Sequence, residues 1–147
     1  MASNNLLRMD NIGIVVEDMK AAIAFFVELG LELEGETTVE GDWVDRVIGL
    51  NGVRSDIASM RTPDGGSKLE LSKFHKPTAL KSEQNPVNTL GIGRIMFTVK
   101  DIDEVLGRLQ AHGATLHGEL VQYEDKYRLC YVRGPEGIMI ALAEKIN

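Results

Sequence analysis

The chain has 147 residues, 44% of them hydrophobic and 26% charged, which suits one globular domain or two small halves sharing a core, with no staple needed for stability. Its single cysteine cannot make an intramolecular disulfide and fits a reducing, cytoplasmic setting. A net charge of -6 without any Lys/Arg cluster argues against nucleic-acid binding, and no stretch approaches the roughly 20 apolar residues of a membrane span.

From the N-terminus, the opening MASNNLLRMDN lacks the basic region and apolar core of a secretory signal. A β-branched run from Ile12 to Val16 then reads as a strand, and Asp18 is placed to cap the helix that follows. Met19, Ile23 and Phe26 form its apolar stripe, which stops at Gly30. Thr62-Pro-Asp-Gly-Gly-Ser-Lys is a tight turn feeding a strand through Leu69 and Leu71, and Lys76 to Leu90, with two prolines, is a linker.

The same order then recurs. Asn11 to Met19 matches Arg94 to Ile102, and the register holds through Asp18 and Asp101, Ile23 and Leu106, Phe26 and Leu109, Gly30 and Gly113, Leu33 and Leu116, and Gly35 and Gly118. Gly134-Pro-Glu-Gly repeats the first tight turn. The pattern predicts an α+β fold: two tandem βαβββ modules, 7–75 and 91–144, joined by linker 76–90 in one domain spanning 1–147, and forming a curved mixed sheet around a cavity. The first half is longer by an insertion at Glu36–Val47, which carries Trp43 and Arg46.

Strand alternation separates two faces. Ile12, Ile14, Val16, Leu69, Leu71, Ile95, Phe97, Val99, Ile138, Ile140 and Leu142 form an apolar face that must pack under the helices. The opposite face carries Asn11, Gly13, Lys68, Glu70, Arg94, Met96, Thr98, Met139 and Ala141, a mixed set that is either solvated or curved around a ligand.

Four segments resemble the vicinal oxygen chelate superfamily, which includes glyoxalase I, methylmalonyl-CoA epimerase, extradiol dioxygenases and bleomycin-resistance proteins. They are Met9 to Val16, Pro63-Asp-Gly with Leu69-Glu-Leu, Gly91 to Phe97, and Arg133-Gly-Pro-Glu-Gly with the closing strand. Family enzymes hold a divalent metal through one ligand on each of four strands. The resemblance implies that these positions are Asn11, Glu70, Arg94 and Ala141 here. Only Glu70 is a good ligand, because Arg has no lone pair to offer and Ala no donor, so no metal and no other cofactor is expected. His75, His112 and His117 are read as surface histidines off the cavity face.

The resemblance brings Glu70 and Arg94 to equivalent cavity positions. Arg94 then either replaces the metal as the cation that grips a ligand's carboxylate, carbonyl or phosphate, or simply neutralises Glu70. As a catalytic pair, Glu70 would remove a proton next to a carbonyl and Arg94 would stabilise the oxyanion, although an adjacent Arg weakens the base. Lys68 and Thr98 either extend the ligand site or sit on a solvated rim, and Trp43 either stacks on a flat ligand or packs on a hairpin or a dimer partner. Tyr123, Tyr127 and Tyr131 share a face and are assigned to core or interface packing. The expected partner is a small organic molecule bound by a homodimer, in the manner of the antibiotic-sequestering branch; a lyase, isomerase or dioxygenase of the same superfamily is the alternative.

Overall fold

The computed structural model describes residues 5–146, so the domain limits at Met1 and Asn147 lie outside the described residues. The chain divides into two compact units, 1–79 and 80–147.

The first unit begins with β1 (Ile12–Val15) and α1 (Met19–Leu29). Asp18 Oδ1 accepts from the Ala21 N–H at 3.0 Å, and Gly30, at φ 124°, donates its N–H to the Phe26 and Val27 carbonyls, so both ends of α1 are closed by the predicted residues. β2 (Glu32–Glu40), α2 (Asp42–Ile48), β3 (Arg54–Arg61) and β4 (Lys68–Lys76) follow. The strands form one mixed sheet in the order β1-β4-β3-β2, with β1 parallel to β4 and the remainder antiparallel. Phe25 and Phe26 of α1, in edge-to-face contact at 5.2 Å, are buried with Val16, Leu69, Leu71, Ala58 and Met60.

The second unit repeats the plan with β5 (Ile95–Thr98), α3 (Ile102–Ala111), β6 (Thr115–Tyr123), β7 (Tyr127–Arg133) and β8 (Met139–Lys145) in the order β5-β8-β7-β6. Asp101 Oδ1 accepts from the Glu104 N–H at 3.1 Å, and Gly113 adopts φ 93° just past the helix. Ile102, Leu109, Val132, Ile140 and Leu142 form the core.

Three features depart from the sequence expectation. The insertion is not Glu36–Val47: Glu36 to Glu40 complete β2, whose partners continue to Arg54, and the extra chain is the segment 41–53 around α2. The hairpin in the other unit closes instead through the short segment between Tyr123 and Tyr127. Second, β8 is buried on both faces, since Met139, Ala141 and Ala143 are as enclosed as Ile140 and Leu142. Third, Ile12, Ile95, Phe97, Val99 and Ile138 are only half-buried, because α1 packs over β4, β2 and β3 and α3 over β8, which leaves the edge strands β1 and β5 less covered.

Candidate functional site

In the first unit the face opposite α1 is organised around Glu70. Gly13 on β1 and Ser59 on β3 flank it in register, and Gly35 on β2 follows Ser59. A Cβ added to Gly13 or Gly35 would meet nothing within 4 Å, so the half-buried Glu70 carboxyl stands in a shallow trough cleared by two glycines. Among the described residues, no hydrogen bond or ion pair holds Glu70 within this unit.

The next row is differently occupied. Lys68 Nζ pairs with Glu34 at 3.0 Å, and Arg61 pairs with Glu32 at 2.8 Å, so Lys68 belongs to an acid-base network on the rim. These half-exposed pairs contribute little stability singly but leave the rim almost neutral. Asn11, just before β1, donates from Nδ2 to Asp10 Oδ2 at 3.1 Å.

Trp43 and Arg46 lie on α2. Trp43 is 60% exposed, and Arg46 pairs loosely with Asp42 one turn earlier at 3.7 Å. Beside α2 an open groove of about 500 Å³ is lined by Glu40, Asp42, Asp45, Arg54 and Lys76. None of the sequence-predicted residues lines it, and its charges are partly spent on local structure. Asp45, for example, accepts from the Gly52 and Val53 N–H groups at 3.0 and 2.8 Å.

In the second unit the corresponding face is organised around Ala141. The register places Met96, Ala141, Tyr131 and His117 side by side across β5, β8, β7 and β6. Arg94, two residues before Met96, sends its guanidinium over the Tyr131 ring, with Cζ 5.6 Å from the ring centre. Thr98 is exposed, Met96 half-exposed, and Met139 and Ala141 are buried.

Two side chains on this face were placed elsewhere by sequence. His117 was read as lying beyond the helix and off the face. The strand starts at Thr115, however, and alternation aims His117 to the same side as Tyr131, so His117 is on this face and not off it. Tyr131, read as core or interface packing, is the platform under Arg94. The repeat carried a usable signal, because its register sets His117 opposite Glu34, which also reaches across the corresponding face to Lys68. By contrast, His75 lies on the helix side, where its Nε2 meets Asp56 Oδ2 at 2.8 Å. Cys130 is enclosed in β7, and burial pushes its thiol pKa up, leaving it un-ionised and unreactive at neutral pH.

The four positions that the resemblance equates with metal ligands do not fit a divalent cation. Asn11 is turned to Asp10, Arg94 is a fixed cation stacked on an aromatic ring, and Ala141 has no donor. Among the described residues, no three His, Cys, Asp or Glu side chains converge as a metal site requires. None of their helices is long and apolar enough to cross a membrane.

A duplicated βαβββ unit with a four-stranded mixed sheet in each copy defines the class of protein. A profile of the Glyoxalase/Bleomycin resistance protein/Dioxygenase superfamily matches residues 8–142, and the chain belongs to that superfamily. It is similar to a glyoxalase family protein from Bacillus cereus, with 57% identity and a TM-score of 0.95 over 100% of this chain and 99% of that one. A fosfomycin resistance protein from Listeria monocytogenes, complexed with Mn(II) and a dihydroxypropylphosphonic acid, shares the fold at 14% identity, with a TM-score of 0.63 over 97% and 91% of the two chains. An antibiotic binding protein from a Streptomyces species does so at 18% identity, with a TM-score of 0.59 over 97% and 99%. Comparison with curated proteins finds no significant match.

Proposed function

We propose that this superfamily member is a metal-independent binder of a small organic molecule, with Glu70 and Arg94 as its principal polar contacts. Asn11, Lys68, Met96, Thr98, Met139 and Ala141 would complete the ligand-binding surface, and Trp43 and Arg46 would belong to an adjoining flap. One observation carries the reading: at the positions where relatives hold a metal, the chain has an arginine stacked on a tyrosine and an alanine. A guanidinium held by its ring, with no carboxylate neutralising it within its unit, is preorganised to receive a polar ligand group. The antibiotic-binding neighbour is an analogy at the level of fold.

The binder is proposed to be a cytoplasmic homodimer whose modules, 7–75 and 91–144, act as one domain. Leu6, Leu7, Leu90 and Ile92 are almost fully exposed, and among the described residues β1 and β5 each bond to one strand only. Open strand edges beside exposed apolar side chains favour burial against a second copy. Light scattering should give twice the chain mass.

Metal analysis after purification without chelators tests the central claim, and one equivalent of bound metal would overturn it. A thermal-shift screen of flat aromatic drugs should yield hits that weaken in Arg94→Ala and Trp43→Ala; unchanged hits in both variants remove these contacts.

A second reading, lyase or isomerase chemistry, is favoured by the unpaired state of Glu70 in its own unit. Glu70 would accept a proton from a carbon next to a carbonyl, and the electron pair left behind would move to the carbonyl oxygen beside Arg94. Glu70→Gln should then abolish turnover without altering the fold.

A further inference from the structure

On the second unit's sheet face opposite α3, no carboxylate among the described residues pairs with Arg94. Arg94, Arg133 and His117 share this face, since Arg133 is in register with Met139 and His117 with Tyr131. Arg133 donates to the carbonyls of Gly137 and Asn85 at 2.9 and 2.6 Å, bonds to neutral acceptors that leave its charge uncompensated. Its Nε is buried and has no partner among the described residues. The acid that closes β8, Glu144, points to the helix side and accepts from the Ile102 N–H at 2.9 Å. Glu119 lies in the irregular stretch between His117 and Val121, outside the paired rows.

We infer that Arg94, positioned by the Tyr131 ring and assisted by His117, forms a subsite for an oxyanion carried on a small organic ligand. A guanidinium in aromatic contact keeps its N–H fork free, and that fork matches a carboxylate or a phosphonate through two parallel hydrogen bonds. Arg94 reaches Tyr131 across β8, where Ala141 presents only a methyl group, so the small residue leaves room for the arm. His117 stands next to Tyr131 on the far side, a second donor about one strand spacing away. Tyr131 is a positioning residue, acting through Arg94. The inference rests on the reading of the chain as a small-molecule binder and specifies the ligand class and two further residues.

The test uses the full chain, ¹⁵N-labelled, titrated with phenylphosphonate, benzoate and neutral benzamide. Both anions should shift the amide signals of Met96, His117 and Tyr131. Their affinity should fall about tenfold in Arg94→Gln and in Tyr131→Leu, and persist in Tyr131→Phe, which keeps the ring. Benzamide should be insensitive to all three changes. Tighter binding of phenylphosphonate than benzoate, with the difference lost in His117→Gln, assigns the site to dianions; equal binding assigns it to carboxylates. Anion shifts elsewhere, no anion binding at all, or affinity unchanged in Arg94→Gln overturns the subsite. If benzamide or other neutral compounds bind and the anions do not, the subsite falls while the binding function stands. Should Tyr131→Leu fail to fold, the contrast between Tyr131→Phe and Arg94→Gln still decides.

Discussion

The guanidinium carbon of Arg94 lies 5.6 Å from the centre of the Tyr131 ring, although β8 runs between β5, which Arg94 immediately precedes, and β7, which carries Tyr131. The contact depends on what β8 presents in between, and Ala141 is in register with Met96 on one side and Tyr131 on the other. A short side chain in the middle strand lets a long one from the neighbouring strand cross it.

Ala141→Leu should therefore break the contact. Ala141 is 1% exposed, so the added atoms overpack a closed site, at a cost of about 1–3 kcal/mol. The variant should keep its fold, while the Tyr131 ring resonances shift as the cation leaves. Unmoved ring signals would mean that Ala141 does not set the geometry.

The contact was invisible in the sequence for a definable reason. Both caps, both glycine stops and the innermost core residues follow from local spacing, which marks Asp18, Asp101, Gly30 and the buried Leu71 and Leu142. Arg94 and Tyr131 are far apart in the chain, and their meeting depends on strand order and register, which periodicity does not report. His117 was misplaced because a residue soon after a helix looks like loop until the strand start is known. The insertion's start is not legible because β2 is exposed along almost its whole length and mostly polar, so Glu36 to Glu40 carry no alternating apolar face to mark them as strand.

Asp45 ties the segment after α2 to the helix by accepting from the Gly52 and Val53 N–H groups. Asp45→Ala leaves both donors without that acceptor, one of them on the buried Val53, and should destabilise the protein by about 1–2 kcal/mol. Cleavage near Gly49 in limited proteolysis should accelerate. Asp45→Asn, which keeps one acceptor oxygen, should fall between. Proteolysis unchanged in Asp45→Ala would show that the segment is held by other contacts.

Asp56 gives the first unit a defined acid response. Hydrogen bonding to His75, then to Thr38, holds its carboxyl below the usual carboxylate range. A folded-state pKa lower than the unfolded one contributes stability that is present above the unfolded value and is lost as pH falls through the folded value. Urea unfolding should accordingly show Asp56→Asn less stable than the parent at neutral pH, with the gap closing as pH falls through the lowered folded-state value of Asp56. A gap that stays constant through that value would assign the effect of the substitution to packing.

The two helix caps should not be equal, despite their repeated sequence. Asp18 and Asp101 each accept from one N–H in the first turn, a bond worth about 1 kcal/mol. α3 has a second acceptor, because Glu144 takes the Ile102 N–H, whereas the position corresponding to Glu144 in the first unit is Lys73, which pairs with Glu17 at 2.7 Å. The helix start at α3 thus keeps the Glu144 carboxylate, along with Asp103 and Glu104 in its first turn, when its cap is removed, and these charges still favour the positive end of the helix, whereas α1 has no acid in its first turn. Asp18→Ala should cost more than Asp101→Ala in chemical denaturation, and Glu144→Ala combined with Asp101→Ala should add a further loss in the second unit. Equal single-variant losses, with no further loss in the double variant, would show that Glu144 does not support α3.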